Sequence, residues 1–222
     1  WAVIPIKNLN ETKHRLKSTL NPQERTDFFV EMFEDVLTTL LAVPELEQVA
    51  VATVCPIAGK IAKKYGTSVL FTEKDEGQTA AVTRTAEILE SKRVAKMLML
   101  PGDVPLVTVE EIQTVIATHE NASSTPDVPA MTIVPARDEQ GSNCIVLSPP
   151  TAAPLRFGPN SYFPHLETAR KLGVSLQTLK LPGIGLDIDT PEDLLELGRQ
   201  SVQTRAQNYL QKYKILERIK IA

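Results

Sequence analysis

Lys96-Met97-Leu98-Met99-Leu100-Pro101-Gly102-Asp103, followed by Thr108-Val109-Glu110, is the stretch on which the fold turns. A short apolar run bounded by Pro-Gly reads as a buried strand over Lys96–Leu100. Thr108 then caps a helix expected over Val109–His119. The same alternation extends in both directions. Upstream, Gly77 opens a helix to about Lys92, and Ser68–Phe71 is a strand. Pro56–Tyr65 is a helix closed by Gly66, and Val49–Val54 is a strand. Asn21-Pro22 opens a helix with an Asn cap and Pro in the first turn, and Phe28, Phe29, Met32, Phe33, Val36, Leu37 and Leu40 recur along it at helical spacing. Ala2–Ile6 is the first strand. Downstream, Ala130–Val134, Cys144–Leu147 and Leu176–Leu179 are strands, Asn160–Gly173 is a helix, and Thr190-Pro191-Glu192-Asp193 opens another. Strands alternating with helices predict an α/β protein whose mostly parallel sheet is covered on both faces.

The 222 residues, 42% of them hydrophobic, suffice for one domain spanning 1–222, without repeat or linker. Residues 200–222 read as a polar helical tail with no assigned role, and the Asn121–Pro129 stretch as the one loose loop. A net charge of −3 argues against a general nucleic-acid binder, though not against a local phosphate site. Cys55 and Cys144 lack metal-ligand spacing and read as reduced thiols. No apolar run reaches membrane-spanning length, and the start is too short for a signal peptide, so a cytoplasmic location is expected.

In open parallel sheets ligands bind beyond the carboxyl ends of the strands. Lys7, Lys13 and Arg15 follow the first strand and could hold a polyphosphate, with a solvated charged loop as the other reading. No Walker or Gly-x-Gly-x-x-Gly pattern is present. Asp103 follows the fourth strand, where Gly102 would let a ligand approach the backbone; a turn-forming Asp is the alternative. Asp187 and Asp189, at i and i+2 on an extended segment, face one side; a pair of helix-capping acids is the weaker reading, because Thr190 already fills the cap. Such acids repel unless a cation lies between them, and Mg²⁺ is the economical choice, giving a candidate Asp103–Asp187–Asp189 metal site. Gly141-Ser142-Asn143 and Arg156-Phe157-Gly158-Pro159-Asn160-Ser161 suggest a pocket for a small phosphate or carboxylate, or ordinary turn and cap chemistry. His14, His119 and His165 do not space as metal ligands. His165, on the helix after Ser161, could approach the acceptor, but a surface or capping role is the expected one.

Taken in order, these segments resemble the phospholactate guanylyltransferase family of coenzyme F-420 biosynthesis. The resemblance rests on Pro5-Ile6-Lys7, Lys13-His14-Arg15-Leu16, Asn21-Pro22-Gln23-Glu24-Arg25, Leu100–Leu106, Gly141-Ser142-Asn143, Arg156–Ser161 and Asp187-Ile188-Asp189-Thr190-Pro191-Glu192-Asp193-Leu194. It implies a single-domain, three-layer αβα nucleotidyltransferase fold of the nucleotide-diphospho-sugar transferase kind. It further implies transfer of GMP from GTP to the phosphate of a three-carbon phospho-acid (2-phospho-L-lactate, phosphoenolpyruvate or 3-phosphoglycerate) with release of pyrophosphate. By the same resemblance Asp103, Asp187 and Asp189 hold the metal, and Lys7 contacts acceptor or GTP phosphate. Ser142, Gly158 and Ser161, with Arg156 beside them, bind the acid. Lys13, Arg15, Gly102 and the Gly77-Gln78-Thr79 turn lie along the nucleotide. Ser142 replaces the family's frequent Thr, and Gln78-Thr79 its common Leu-Asn.

Two rivals remain at this level. One is a nucleotidyltransferase of another pathway, acting on molybdopterin or a sugar phosphate; the other is a non-catalytic GTP-binding module. A homodimer is expected only because paired assemblies are common.

Overall fold

The computed structural model describes residues 1–9, 13–71, 77–123, 128–158 and 160–219. Pro159 of the Arg156–Ser161 segment and residues 124–127 of the loop expected to be loose lie outside the described residues.

Seven strands form one sheet: β1 (Ala2–Ile6), β2 (Val49–Thr53), β3 (Ser68–Phe71), β4 (Met97–Met99), β5 (Ala130–Pro135), β6 (Ser142–Ser148) and β7 (Ser175–Thr178). Their spatial order is β3-β2-β1-β4-β6-β5-β7. Only β6 runs against its neighbours, pairing antiparallel with both β4 and β5. The sheet is therefore mixed, with one reversed strand.

The helices are α1 (Pro22–Leu41), α2 (Pro56–Lys64), α3 (Gln78–Ser91), α4 (Val109–Ala122), α5 (Tyr162–Lys171), α6 (Pro182–Gly185), α7 (Pro191–Arg199) and α8 (Arg205–Lys212). Their starts follow local chemistry. Asn21 and Glu24 form a reciprocal capping box on α1, and Thr190 and Asp193 do the same on α7. Thr108 caps α4.

Strand side chains alternate between two cores. Ala2, Ile4, Ile6, Val49, Val51, Leu98 and Leu100 pack with α1, α2, α4, α7 and α8. Val3, Ala52, Met97, Met99, Ile133 and Ile145 pack with α3 and α5. That is a three-layer αβα arrangement. The C-terminal segment read as a polar tail belongs to the first core: Ala206, Tyr209, Leu210 and Ile215 are buried there. No described helix is long and apolar enough to cross a membrane.

The order places β1 and β4 side by side, although the chain visits β2 and β3 between them. That is the switch point where open sheets leave a crevice.

Candidate active site

Three segments meet at this crevice. The residues after β1 bring Lys13, which adopts a left-handed conformation (φ 57°) ahead of a 3-10 turn at His14–Leu16. The turn after β4 brings Asp103. The segment between α6 and α7 brings Asp187 and Asp189, with Leu186 and Ile188 alternating into the core. The Ile188 amide donates to the Asp103 carbonyl at 3.0 Å, fixing the two acidic segments side by side. Because β6 runs backwards, its first residues, Ser142 and Asn143, arrive at the same end of the sheet as the last residues of β4.

Together they line a cleft of about 330 Å³ that includes Arg15, Gln78, Asp103, Ser142, Gly158, Ser161, Asp187 and Asp189. A larger, more apolar hollow of about 500 Å³ shares Ala136 with it but contains none of the three acids. The smaller cleft gathers the three acids and is the candidate active site.

Lys13 is central. Its side chain is 3% exposed, and Nζ donates to Asp103 Oδ2 at 2.5 Å and Asp189 Oδ1 at 2.7 Å. Burial alone would lower the ammonium pKa, but the two carboxylates outweigh it and hold the lysine above its ordinary value. Burial would likewise raise Asp189, yet Lys13 brings it below the usual carboxylate value. Asp187 lacks this partner. Burial, then the Asp103 charge, pushes it up to about 6, against a hydrogen bond from Asn143 Nδ2 at 3.1 Å. Asn143 also donates to the Ile184 carbonyl at 2.9 Å, so it fixes Asp187 against α6.

Three carboxylates against one close ammonium leave the cleft with excess negative charge. Among the described residues no three His, Cys, Asp or Glu side chains stand ready as a metal cage. The donor set nevertheless fits a hard divalent cation held by carboxylate oxygens, its shell completed by phosphate oxygens and water.

The other wall is neutral. Ser142 and Ser161 are buried, with their hydroxyls 3.3 Å apart. His165, expected in a surface or capping role, is 1% exposed and lies 3.0 Å from Ser142 Oγ through Nδ1. Its Nε2 accepts from the Arg156 amide at 2.9 Å. Burial lowers its pKa to about 4, so it is neutral at pH 7.

Several residues expected to touch a ligand stand outside the cleft lining or are engaged within the protein. The Arg156 side chain is exposed and does not line the cleft; its backbone amide is what is engaged. Lys7 is exposed past β1 and also outside the lining. Thr79 Oγ1 accepts from the Phe157 amide at 2.9 Å, tying α3 to the Arg156–Phe157 segment. Gly77 is the N-cap of α3, with φ 88°. Gly102 is a packing glycine: a Cβ there would come within 2.6 Å of Ile6 Cδ1 and 3.4 Å of Phe29 Cζ. Lys13 binds the acids themselves.

Curated relatives align over most of this chain. A phosphoenolpyruvate guanylyltransferase of Chloroflexus aurantiacus is 32% identical, covering 89% of this chain and 93% of its own length. A 3-phospho-D-glycerate guanylyltransferase of Colwellia psychrerythraea is 30% identical over 86% and 88%. A 2-phospho-L-lactate guanylyltransferase of Methanothermobacter thermautotrophicus is 28% identical over 95% and 89%. Among solved structures, a protein of Desulfovibrio desulfuricans G20 proposed to be a nucleotide-diphospho-sugar transferase superimposes with a TM-score of 0.76, at 15% identity over 98% of this chain and 96% of that one, which shows the shared fold. The family model described as "Guanylyl transferase CofC like" matches residues 1–220. The chain belongs to this guanylyl transferase family and is a nucleotidyltransferase.

Proposed function

We propose that this enzyme transfers GMP from GTP to the phosphate of a three-carbon phospho-acid, releasing pyrophosphate, in the formation of coenzyme F-420. One observation carries the proposal: a single cleft at the switch point holds both the acid cluster around Lys13 and the buried Ser142–Ser161 hydroxyls. The first suits a nucleotide triphosphate with its cation, the second a small anion.

In the reaction a phosphate oxygen of the acid attacks the α-phosphorus of GTP. An O–P bond forms, the bridging α–β P–O bond breaks, and its electron pair leaves with pyrophosphate. The attacking oxygen is already anionic near pH 7, so no general base is needed. Catalysis is positioning and charge stabilisation. Asp103, Asp187 and Asp189 would hold Mg²⁺, which supplies neutralisation of phosphate charge when bound. Lys13 orients Asp103 and Asp189 through its two ion pairs and favours the ionised form of Asp189. Arg15 and Gln78 stand on the cleft wall for the nucleotide, and Ser142, Gly158 and Ser161 face the acid.

The acceptors named for the three relatives share their anionic anchors and differ by small groups, which a pocket separates by only about 1–3 kcal/mol. The deciding experiment is therefore a competition. The enzyme is given GTP, Mg²⁺ and equal amounts of phosphoenolpyruvate, 2-phospho-L-lactate and 3-phosphoglycerate, and products are identified by mass. One dominant guanylated acid with stoichiometric pyrophosphate supports the proposal. GTP binding without turnover of any acid rejects it.

A further inference from the structure

His165 touches two of the residues assigned to the acid pocket without itself lining the cleft. Its ring is held on all sides. Nε2 faces the Arg156 backbone N–H at 2.9 Å, Nδ1 faces Ser142 Oγ at 3.0 Å, and Phe157 packs edge-on with centroids 5.5 Å apart. A backbone N–H can only donate, so Nε2 must accept. The neutral ring then carries its proton on Nδ1 and donates it to Ser142.

The consequence is a count of protons. Ser142 and Ser161 own two hydroxyl protons, and one is used between them. Because Nδ1 donates, neither can go to the ring, and the second stays available to a ligand. The opposite tautomer would take a proton from Ser142 while Ser161 donated to Ser142, leaving none. Burial of an unspent hydroxyl proton is costly unless a ligand oxygen receives it.

We propose that His165 is a positioning residue for the acid pocket: its Nδ1–H tautomer, locked by the Arg156 amide, reserves one Ser142/Ser161 hydroxyl proton for an anionic oxygen of the phospho-acid. The same contact steadies the Arg156–Phe157 backbone, which Thr79 holds from the α3 side. Gly158, at φ 142°, is thereby presented to the cleft. The proposal rests on the assignment of this wall to the phospho-acid.

Two measurements test it. Long-range ¹H–¹⁵N correlation on the histidine rings of the wild-type protein should show His165 as the Nδ1–H tautomer; an Nε2–H ring overturns the proposal whatever the enzyme's substrate. Steady-state kinetics should then show that His165→Leu raises the KM for the phospho-acid about tenfold, the scale of one lost hydrogen bond, while the KM for GTP stays within about twofold. His165→Asn, whose amide nitrogen occupies the Nδ1 position, should recover most of the acid affinity. A folded Leu variant with unchanged acid KM, equal rises in both KM values, or no rescue by Asn overturns it. Should wild-type protein turn over none of the acids, the proposed function fails separately. Inorganic phosphate binding, compared between wild type and His165→Leu, then decides: weaker binding in the variant supports the clamp and equal binding rejects it.

Discussion

Asp103 and Asp189 share one ammonium: Lys13 Nζ stands 2.5 Å from Oδ2 of the first and 2.7 Å from Oδ1 of the second. The three residues come from segments after β1, after β4 and before α7, so the ion pair closes the crevice at the switch point. Removing Lys13 leaves two carboxylates facing each other and Asp187.

Lys13→Met should therefore lower stability at neutral pH. Breaking a fully buried pair costs about 3–5 kcal/mol. Here the Asp189 side chain is 42% exposed and water screens it, so about 1–3 kcal/mol is expected. The sign follows from Asp189, whose pKa is lowered in the fold. Its contribution is present above the ordinary value of 3.8 and is lost as pH falls through the folded one. The wild-type advantage in urea unfolding should thus be full at pH 7 and shrink below about pH 4. Equal midpoints at pH 7 would remove Lys13 from the centre of the site.

Asp187→Asn should act in the opposite direction on stability. Burial and the neighbouring charges raise its carboxyl from 3.8 to about 6, so the fold prefers the protonated form. Stability is then lost as pH rises from about 4 to 6, and above that the cost is complete. Asn carries no charge and keeps a carbonyl for Asn143. In EDTA the variant should gain about 1–2 kcal/mol at pH 7.5 and nothing at pH 4. Guanylyl transfer in Mg²⁺ should fall by about two orders of magnitude, on the scale of one lost electrostatic group. A lower melting temperature than wild type at pH 7.5 would sink this account.

His119 gives a second pH test, remote from the cleft. It is 1% exposed, with Nδ1 3.1 Å from Thr132 Oγ1 and Nε2 2.9 Å from Ser148 Oγ. Burial, aided by the Lys96 charge, pushes its pKa from 6.5 down to about 4. The neutral ring stabilises the fold above pH 6.5, and that contribution drains away as pH falls towards 4. Between pH 7 and 4.5 wild type should lose roughly 2–3 kcal/mol more than His119→Gln. Parallel stability curves would show that His119 does not titrate on unfolding.

The parts of the fold and site legible in sequence were local. The Asn21–Glu24 and Thr190–Asp193 caps lie within one helical turn, and the i, i+2 spacing of Asp187 and Asp189 alone places both on one face. The Lys13 partnerships span 90 and 176 residues, so no local pattern could separate an acid-bound lysine from a phosphate-bound one. His165 is similar: Ser142 comes from β6, and the Arg156 amide is a backbone group, invisible in residue type. Gly102 sits beside the site but answers to Ile6 and Phe29 packed against it. The four-residue α6 is too short for a periodic signal, and its first amides are satisfied by Glu111 from α4, which donates nothing to a local cap pattern.

The C-terminal helix offers the last test, because its polar appearance conceals a packing role. Thr204 caps α8, and Asp35 of α1 accepts from the Arg205 and Ala206 amides at 2.9 and 3.0 Å, so the helix start is satisfied from α1. Tyr209 packs on Phe28 with ring centroids 5.8 Å apart, and Leu210 is 1% exposed. The helix α1 in turn sets Phe29 and Phe33 against Gly102, next to Asp103. Leu210→Ala should cost about 2–4 kcal/mol through the cavity it leaves. The cleft itself is untouched, so the folded fraction should keep its transfer rate within about twofold well below the melting temperature. Chemical denaturation and initial rates at 15–40 °C separate the two effects. A variant of unchanged stability would mean that α8 is not part of the core, and one stable but inactive would mean that α1 transmits the change to Asp103.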